Sequence, residues 1–249
     1  MRMFDVAAES YDRFMGRYSQ LLAHEFADFA HVAGGSALDV GCGPGALTRI
    51  LVERAERVAA VDPSESFVAA ARERFPGVDV QRSTAEQLPF PDDAFDVALA
   101  QLVVNFMGDP VGGIREMARV TRPGGTIAAC VWDLAGRRSP MSTVWTVLNR
   151  FGFEGEGRLP GAYAGSLCDI FVEAGLADVE EGEVVAERQH ASFDEWWEPF
   201  THGVGPVGQA LASLDPGQRE EVVAETRAAV GEPPIRIRAV AWAARGRVG

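Results

Sequence analysis

A glycine-rich segment that directly follows a short apolar run is the feature that most restricts the fold of this chain. The segment LDVGCGPGALT occupies residues 38–48 and places three glycines within five residues, at Gly41, Gly43 and Gly45. Glycine tolerates positive φ and has no side chain, so a ligand can lie against the backbone and face the following helix N-terminus. A plain turn from strand to helix needs one glycine rather than three. The segment therefore predicts a ligand-binding loop.

Strand and helix patterns alternate around this loop. Apolar residues at helical spacing predict an amphipathic helix over residues 9–31, before Gly34-Gly35. Five strands are predicted at residues 37–40, 57–62, 78–83, 95–104 and 126–132, with helices between most of them. Asp109-Pro110 predicts a helix start, and RPGG at 122–125 predicts a turn. Such alternation favours a parallel sheet covered by helices on both faces, with ligands beyond the carboxyl ends of the strands.

The pattern weakens beyond Asp133 and then resumes. Helical patterns appear at residues 166–176, 192–200 and 217–230, and strand patterns at 178–188 and 235–246. No tandem repeat is visible in the chain. We expect one domain with an appended cap.

An acidic residue after the second predicted strand narrows the ligand of the glycine loop. Asp62 lies 17 residues beyond Gly45, where a carboxylate can accept two hydrogen bonds from a ribose diol. It could instead cap the next helix, a role that Ser64 could also fill. Loop and carboxylate together indicate a nucleoside ligand.

A dinucleotide is one candidate, because Gly41, Gly43 and Ala46 also fit the fingerprint G-x-G-x-x-G/A of an NAD-dependent oxidoreductase. Two residues count against a pyrophosphate. Asp39 suits an ammonium group better, and Pro44 removes a backbone donor that a phosphate would use. The chain also contains no lysine, which excludes a catalytic Tyr-x-x-x-Lys pair.

Charge and composition restrict partners and location. With 36 acidic and 23 basic residues the formal net charge is −13, and no basic stripe appears, so nucleic-acid binding is disfavoured. The three cysteines are far apart, which indicates a reducing compartment. No apolar segment of spanning length is present, and the first residues have no apolar signal region, so we expect a cytoplasmic protein. The four histidines lack metal-ligand spacing, and we expect no metal site.

Three ordered motifs resemble a known family. LDVGCGPG with Asp62, AEQLPFPDDAFDVALA and REMARVTRPGGTIAACVW together resemble class I S-adenosylmethionine-dependent methyltransferases of the type 11 group, which includes enzymes of ubiquinone and menaquinone biosynthesis. The resemblance extends from about residue 9 to residue 133. It implies an α/β fold of the Rossmann-like, doubly wound kind, with seven strands, an antiparallel last strand and a helical cap.

The resemblance also implies which residues bind S-adenosyl-L-methionine. Its amino-acid end would contact Asp39 and the loop residues Gly41, Cys42 and Gly43, while Gly45 lets a helix approach. Asp62 would hold the ribose, Pro63 and Ser64 would border the adenine, and Ala85 would offer its amide. Gln101 would face the methionine portion, or its amide could cap the end of its own strand. Tyr11 and Arg17 would lie on a helix that folds over the cofactor, where Arg17 could pair with the cofactor carboxylate or be a solvated residue of the helix face. Where the family has an aspartate for the adenine amino group, this chain has Thr84. A hydroxyl accepts only an uncharged hydrogen bond, so weaker adenine discrimination is expected.

Residues on the acceptor side carry a weaker signal. The candidate catalytic residues are His190 and His202, which flank an aromatic cluster in the cap, and Asn105, just past the fourth strand. Either histidine could act as a general base or be a structural residue. Trp132 is similarly placed at the end of the fifth strand. The five tryptophans favour a hydrophobic or aromatic small-molecule acceptor, methylated by in-line displacement, with the oligomeric state open. A protein that binds the cofactor without turnover remains an alternative. The predicted division is a cofactor-binding core at 9–133, cap insertions at 134–162 and 190–232, and segments 163–189 and 233–249 that complete the sheet.

Overall fold

The computed structural model describes residues 8–155 and 157–249, whose strands form a seven-stranded sheet. The strands are β1 (Ser36–Val40), β2 (Arg57–Asp62), β3 (Asp79–Arg82), β4 (Phe95–Gln101), β5 (Thr121–Trp132), β6 (Ala177–His190) and β7 (Ile235–Arg247). Their order is β3-β2-β1-β4-β5-β7-β6. Strands β1 to β5 pair in parallel, and β7 is antiparallel to both β5 and β6. The predicted Rossmann-like fold with an antiparallel last strand is confirmed.

Helices cover both faces of this sheet. They are α1 (Ala8–Tyr11), α2 (Arg17–Phe29), α3 (Ala46–Arg54), α4 (Glu65–Arg74), α5 (Pro110–Val120), α6 (Ser142–Leu148), α7 (Ser166–Glu173), α8 (Phe193–Trp197), α9 (Gly205–Ser213) and α10 (Pro216–Val230). Successive strand residues point to opposite faces, so Ala37 of β1 joins one apolar cluster and Leu38 the other. The first cluster includes Phe26 of α2, and the second includes Phe171 of α7. The fold is therefore doubly wound, as expected.

The first helical segment differs from the single helix expected over residues 9–31. A π-helix at Asp12–Gly16 separates α1 from α2, and α2 ends at Phe29. A π-helix has more residues per turn than an α-helix, and insertions of this kind are frequent at functional sites. Here the insertion buries Phe14 and Met15 together.

Strand β4 ends earlier than the apolar run that predicted it. The run extends to residue 104, but the strand ends at Gln101 because Leu102 adopts a φ of +61° and Val104–Phe106 form a 3-10 turn. Positive φ is rare for a branched side chain and is concentrated at ligand sites. The chain therefore bends sharply at the carboxyl edge of the sheet.

Strand β5 begins earlier than expected, and the predicted turn at residues 122–125 lies within it. Thr121 pairs with Phe95, and pairing resumes at Thr126, which pairs with Val97. The four residues between them form an irregularity in which Gly124 has a φ of +74°. The start of α5, in contrast, agrees with the sequence, because Asp109 Oδ1 accepts the Gly112 amide at 2.9 Å.

The segments predicted as the cap contain α6, α8, α9 and α10, and four of their aromatic residues pack together in the core. Phe193, Trp196, Trp197 and Phe200 are buried, with neighbouring ring centroids 5.1–6.3 Å apart. Phe14 of the π-helix meets Phe200 edge to face at 5.2 Å. These contacts fasten the N-terminal segment to the cap. Within the described ranges, no helix combines the length and apolar character needed to cross a bilayer.

Replacement of Gly45 tests the contact that positions the glycine loop on α4. Gly45 has a φ of +101°, and an added Cβ would lie 2.2 Å from Cε2 of Phe75. We expect Gly45→Ala to lower the free energy of unfolding by roughly 1–3 kcal/mol through overpacking, beyond the cost of positive φ. Thermal or urea denaturation measures this loss.

Gly43→Ala is the matched control, because Gly43 also has positive φ but a Cβ there would meet no atom within 4 Å. Gly43→Ala should lose less free energy of unfolding than Gly45→Ala. Adding Phe75→Leu to Gly45→Ala should restore part of the lost stability. Equal losses in the two alanine variants would show that the Phe75 contact is unimportant.

Candidate functional site

The glycine loop lies where the carboxyl ends of β1 and β2 meet. The amides of Gly41 and Cys42 both donate to the carbonyl of Val61, at 2.8 and 2.9 Å. Gly41 has a φ of +72°, and a Cβ there would lie 2.5 Å from a methyl carbon of Val103. Gly43 has a φ of +53° and faces open space. The loop therefore presents bare backbone at Gly43 and packs tightly at Gly41.

Asp62 fixes the loop from the end of β2. Its Oδ2 accepts the Gly43 amide at 2.9 Å, and its Oδ1 accepts the Ser64 amide at 2.8 Å, at the start of α4. Burial raises the pKa of this carboxyl, and the two amides oppose that rise. The bond to Ser64, the N-cap residue of α4, fixes the turn that leads into that helix and does not cap the first amides of the helix. Each carboxylate oxygen has a second lone pair, so the same group can still accept ribose hydroxyls.

Asp39 is the second carboxyl at this edge, and it is buried. Its Oδ2 accepts the hydroxyl of Thr48 at 2.6 Å, and its Oδ1 is buried without a partner among the described residues. Burial raises the pKa of Asp39 to about 7, the nearby charge of Asp62 adds to the rise, and the Thr48 hydrogen bonds oppose it. An unpartnered carboxylate oxygen of this kind suits a cationic ligand group.

Gln101 shows the same pattern at the end of β4. Its Nε2 donates to the carbonyl of Ser19 in α2 at 3.0 Å, and its Oε1 is buried with no partner in residues 8–155 and 157–249. The amide therefore does not simply cap its own strand. It joins the sheet edge to α2 and leaves one acceptor unused.

The predicted adenine segment is fastened to Asp62 and to the loop after β4. The Ser83 amide donates to the backbone carbonyl of Asp62 at 3.2 Å, and Glu86 Oε1 accepts the Gly108 amide at 2.9 Å. Thr84 is exposed and Ala85 is buried, while Pro63 lies exposed at the start of the turn into α4. The assignment of Pro63, Thr84 and Ala85 to the adenine stays a prediction.

Cys42 reaches this site only through its backbone. Its side chain packs in a small apolar cluster with Ala60, Val68, Ala71 and Val80, and burial raises the pKa of its thiol. Any contact between Cys42 and a ligand of the loop would therefore involve the main chain.

The N-terminal segment covers the site through Tyr11 and Asp12. The Tyr11 and Phe67 rings are 5.1 Å apart, and Arg74 of α4 binds both Asp12 Oδ2 at 2.6 Å and the Pro44 carbonyl at 3.0 Å. Arg74 thus links the N-terminal segment, α4 and the glycine loop. Sequence reasoning missed it, because one arginine in the last turn of a helix carries no motif.

Arg17 occupies a different place from the one expected. Its guanidinium donates to the carbonyls of Phe14 at 3.2 Å, Glu195 at 3.2 Å and Trp196 at 2.8 Å. All three guanidinium nitrogens are therefore used on backbone carbonyls of the N-terminal segment and the cap. This geometry corrects the expected pairing of Arg17 with a cofactor carboxylate in favour of a role in joining the helix to the cap.

His190 is completely buried and is also not placed to act as a base on a small molecule. Its Nε2 lies 2.9 Å from the Tyr18 hydroxyl, and its Nδ1 lies 3.3 Å from Glu195 Oε1. Burial, with the charge of Arg17, lowers the pKa of His190 to about 4. The expectation for His190 is thus corrected, because both ring nitrogens are engaged inside the protein.

His202 stands at the surface of the cap, with Nε2 2.8 Å from Glu198 Oε1 one turn earlier. Neither its position nor its partner brings it to the glycine loop. In residues 8–155 and 157–249, no group of three or more His, Cys, Asp or Glu side chains is arranged to hold a metal ion.

An apolar cavity adjoins the covered site, and Asn105 and Trp132 both line it. It encloses about 60 Å³ between the π-helix, the ends of β4 and β5, and the start of α9. The lining residues are Tyr11, Phe14, Met15, Leu102, Asn105, Phe106, Val131, Trp132, Leu134, Met141, Val204, Gly205, Pro206 and Val207. The contribution of residues 204–207 was not predicted, because they lie between the two helical patterns of the cap and α9 was missed.

Comparison with known proteins decides the family. The profile described as "Methyltransferase domain" matches residues 38–129. The protein named "Probable S-adenosylmethionine-dependent methyltransferase" of Mycolicibacterium smegmatis is 30% identical over 197 residues, covering 72% of this chain and 71% of that protein. The chain belongs to the S-adenosylmethionine-dependent methyltransferases.

Solved structures agree with the fold of this methyltransferase. The YcgJ protein of Bacillus subtilis has a TM-score of 0.60 at 19% identity, covering 91% of this chain and 97% of its own. Geranyl diphosphate C-methyltransferase of Streptomyces coelicolor, solved with S-adenosyl-L-homocysteine, has a TM-score of 0.54 at 16% identity, covering 91% and 78%.

S-adenosylmethionine is therefore the cofactor of this methyltransferase, and the residues at the sheet edge fit it. The unpartnered oxygens of Asp39 and Gln101 are acceptors that an ammonium group could use, and the open face of Gly43 leaves room for a ligand against the backbone. Asp62 retains acceptor capacity for a ribose. None of these features requires a metal.

The raised pKa of Asp39 predicts a pH-dependent stability for the methyltransferase without ligand. Asp39 has a pKa of about 7 when folded against an ordinary value of 3.8, so the folded state holds a proton that the unfolded state has lost. Its contribution to stability is complete below pH 3.8 and is lost as pH rises through 7. We expect Asp39→Asn to flatten this decline, measured by urea denaturation between pH 5 and about 8.

His190 acts in the opposite direction, because its lowered pKa favours the folded state as pH rises from about 4 to 6.5. Asp62 and His190 are unchanged in Asp39→Asn, so the difference between the two curves isolates Asp39. Parallel curves for the wild type and the variant would contradict the assignment.

Proposed function

We propose that this methyltransferase methylates a small apolar acceptor bound in the cavity between the π-helix and α9. Tyr11 carries the argument, since it lines that cavity, contacts Phe67 of α4 and lies close enough to Asp62 for that charge to help raise its pKa. The Tyr11 side chain thus lies between the apolar cavity and Asp62, the residue that we assign to the ribose. An acceptor there would lie beside the cofactor.

The cofactor supplies an activated methyl group on sulfur, so the protein has only to align the acceptor and exclude water. The lining of the cavity suits this task, because it is almost entirely aliphatic and aromatic. Its members come from the predicted core, such as Leu102, and from the predicted cap, such as Met141. We propose on this basis that the segments 134–162 and 190–232 serve acceptor binding, while 9–133 binds the cofactor.

We assign the cofactor contacts residue by residue. Asp62 binds the ribose hydroxyls, Asp39 the ammonium group, and Gln101 the methionine portion. The backbone of Gly41, Cys42 and Gly43 supports the amino-acid end, and Pro63, Thr84 and Ala85 surround the adenine. A cytoplasmic location is consistent with the three free thiols of Cys42, Cys130 and Cys168.

Two carboxylate variants and two nucleosides separate these roles. Methylthioadenosine is the nucleoside without the amino-acid portion of S-adenosylhomocysteine. Asp62→Ala should weaken the binding of both nucleosides at least tenfold, because a charge-assisted hydrogen bond typically contributes about 1.5–3 kcal/mol. Asp39→Asn should weaken S-adenosylhomocysteine alone. Calorimetric titration measures both affinities.

NADH is the control ligand in the same titrations. Saturable binding of NADH, with no binding of either sulfur nucleoside, would overturn the cofactor assignment. Equal weakening of both nucleosides by Asp39→Asn would remove Asp39 from the ammonium site and leave the ribose assignment intact.

A charged side chain at the edge of the apolar cavity tests whether this cavity binds the acceptor. Phe106 lines the cavity and is 41% exposed, so Phe106→Asp should fold and yet disfavour an apolar ligand. We expect about fivefold or greater weakening of the neutral dye prodan, followed by fluorescence with saturating S-adenosylhomocysteine.

Val172→Asp is the matched control, because Val172 is 64% exposed on α7 and does not line the cavity. The control should bind prodan as the wild type does. Loss of prodan binding in both variants, or in neither, would argue against this cavity as the acceptor site.

A further inference from the structure

The hydroxyl of Thr48 binds one oxygen of the Asp39 carboxyl inside the protein. Thr48 is 0% exposed and Asp39 is 1% exposed, and Thr48 Oγ1 donates to Asp39 Oδ2 at 2.6 Å. A distance of this kind is typical of a hydroxyl that donates to an ionised carboxylate. No motif of the sequence assigns a role to Thr48, although it contacts a residue of the cofactor edge.

Thr48 has this position because it lies in the first turn of α3, directly after the glycine loop. Helix α3 begins at Ala46, and the first amides of a helix have no partner within the helix. Asp39, near the end of β1, accepts hydrogen bonds from both the hydroxyl and the amide of Thr48. The branched Cβ of threonine restricts χ1, so the hydroxyl has a fixed direction. Thr48 therefore joins β1 to α3 and restricts rotation of the Asp39 carboxyl.

Asp39 also lies within electrostatic range of the residue that organises the glycine loop. The charge of Asp62 helps to raise the pKa of Asp39, and Asp62 Oδ2 accepts the Gly43 amide at 2.9 Å. A cationic group bound beside Asp62 and the loop therefore acts on the charge of Asp39 as well. Such a cation favours the ionised form of a nearby carboxyl.

We propose that Thr48 is a positioning residue for cofactor binding, because its hydroxyl holds Asp39 through Oδ2 and favours the ionised carboxylate that attracts the ammonium group. This inference rests on the proposed assignment of Asp39 to that ammonium group, and it adds the residue that controls Asp39. In this role Thr48 does not itself touch the cofactor. Its effect on binding passes through the charge and the direction of the Asp39 carboxyl.

The charge of Asp39 responds strongly to this hydrogen bond, because opposing effects nearly balance at neutral pH. Burial raises the pKa of Asp39 to about 7 and the charge of Asp62 adds to the rise, while the hydrogen bonds from Thr48 lower it. The thiol of Cys42 is also within range, but its own pKa is raised, so it is neutral. The residues that pair with Asp39 in β2 and β4 are apolar. Among the described residues, Asp62 is thus the charged neighbour that acts on Asp39.

Binding of an ammonium group should therefore expel a proton from Asp39 to the buffer. At pH 7 about half of the Asp39 carboxyls are protonated in the free protein, so we expect release of about half a proton per bound S-adenosylhomocysteine. Methylthioadenosine lacks the ammonium group and should release less. Calorimetric titration in buffers of different ionisation enthalpy measures the number of protons released.

Thr48→Val tests the hydroxyl, because it keeps the size of the side chain and removes the donor. Without this donor the pKa of Asp39 rises further, and more of the carboxyl is protonated at pH 7. We expect the affinity for S-adenosylhomocysteine to fall about fivefold or more at this pH, and the affinity for methylthioadenosine to change less than about twofold. The deficit should shrink between about pH 6 and 8, because higher pH restores the ionised carboxylate.

Three further variants distinguish this role from a purely structural one. Thr48→Ser retains the hydroxyl and should keep the pH profile of the wild type. Thr226→Val removes a hydroxyl of α10 that is also 0% exposed and has no partner in the part of the chain that the structure describes, so it should leave both affinities unchanged. Thr48→Cys has a weaker donor, and its deficit should lie between those of Thr48→Ser and Thr48→Val. The cysteine variant keeps the proposal testable if Thr48→Val folds poorly.

Equal weakening of the two nucleosides by Thr48→Val, a deficit that does not change with pH, or an altered pH profile in Thr48→Ser would each overturn the proposal. If Asp39→Asn weakens S-adenosylhomocysteine alone, as expected, such a result rejects the role of Thr48 and leaves the proposed function intact. If Asp39→Asn weakens both nucleosides equally, or neither, the assignment of Asp39 to the ammonium group fails, and the role of Thr48 fails with it.

Discussion

The side chain and backbone of Asp62 hold together the three segments that form the cofactor edge. Its carboxylate accepts the amides of Gly43 in the glycine loop and Ser64 at the start of α4, and its carbonyl accepts the amide of Ser83. A carboxylate paired with backbone amides is strongly oriented, because each charge-assisted bond fixes a direction. The loop, the helix start and the adenine segment therefore take their positions from one residue.

The N-terminal segment depends on that arrangement, since it rests on the loop and on α4. Arg74 binds Asp12 and the Pro44 carbonyl at once, and Arg17 binds carbonyls of the cap from the other end. The π-helix between these two anchors turns Phe14 and Met15 inward. The same segment is thus linked to the glycine loop through Arg74 and forms one wall of the apolar cavity.

Local patterns predicted the positions of the strands, while the antiparallel last strand was predicted from the family resemblance. Strand positions follow from apolar runs, and Asp39, Gly43 and Asp62 follow from a motif whose spacing reflects chain geometry. Contacts between distant segments could not be predicted. The engagement of Arg17 with residues near 195 and of His190 with Tyr18 depends on packing across more than 170 residues, and a lone arginine or histidine carries no information about it.

The predicted end of β4 was wrong because the backbone conformation, and not the apolar pattern of the sequence, decides where this strand ends. The run after Gln101 is apolar enough to continue β4, yet Leu102 adopts positive φ and turns the chain. Packing around the cavity, rather than strand propensity, decides this conformation, because the turn places Leu102 and Asn105 in the cavity lining. A pattern of hydrophobicity cannot distinguish a strand from a turn whose side chains are also buried.

Electrostatics at the sheet edge explains why a loop that fits a dinucleotide fingerprint serves a sulfonium cofactor. Asp39 and Asp62 bury two carboxyls near each other, and burial raises the pKa of both. A pyrophosphate would add negative charge to this environment and would force protonation or separation. The sulfonium and ammonium groups bring positive charge, which favours the ionised carboxylates and offsets their desolvation. We therefore propose that the glycines let a ligand approach the backbone closely and that the two buried carboxyls favour a ligand with positive charge.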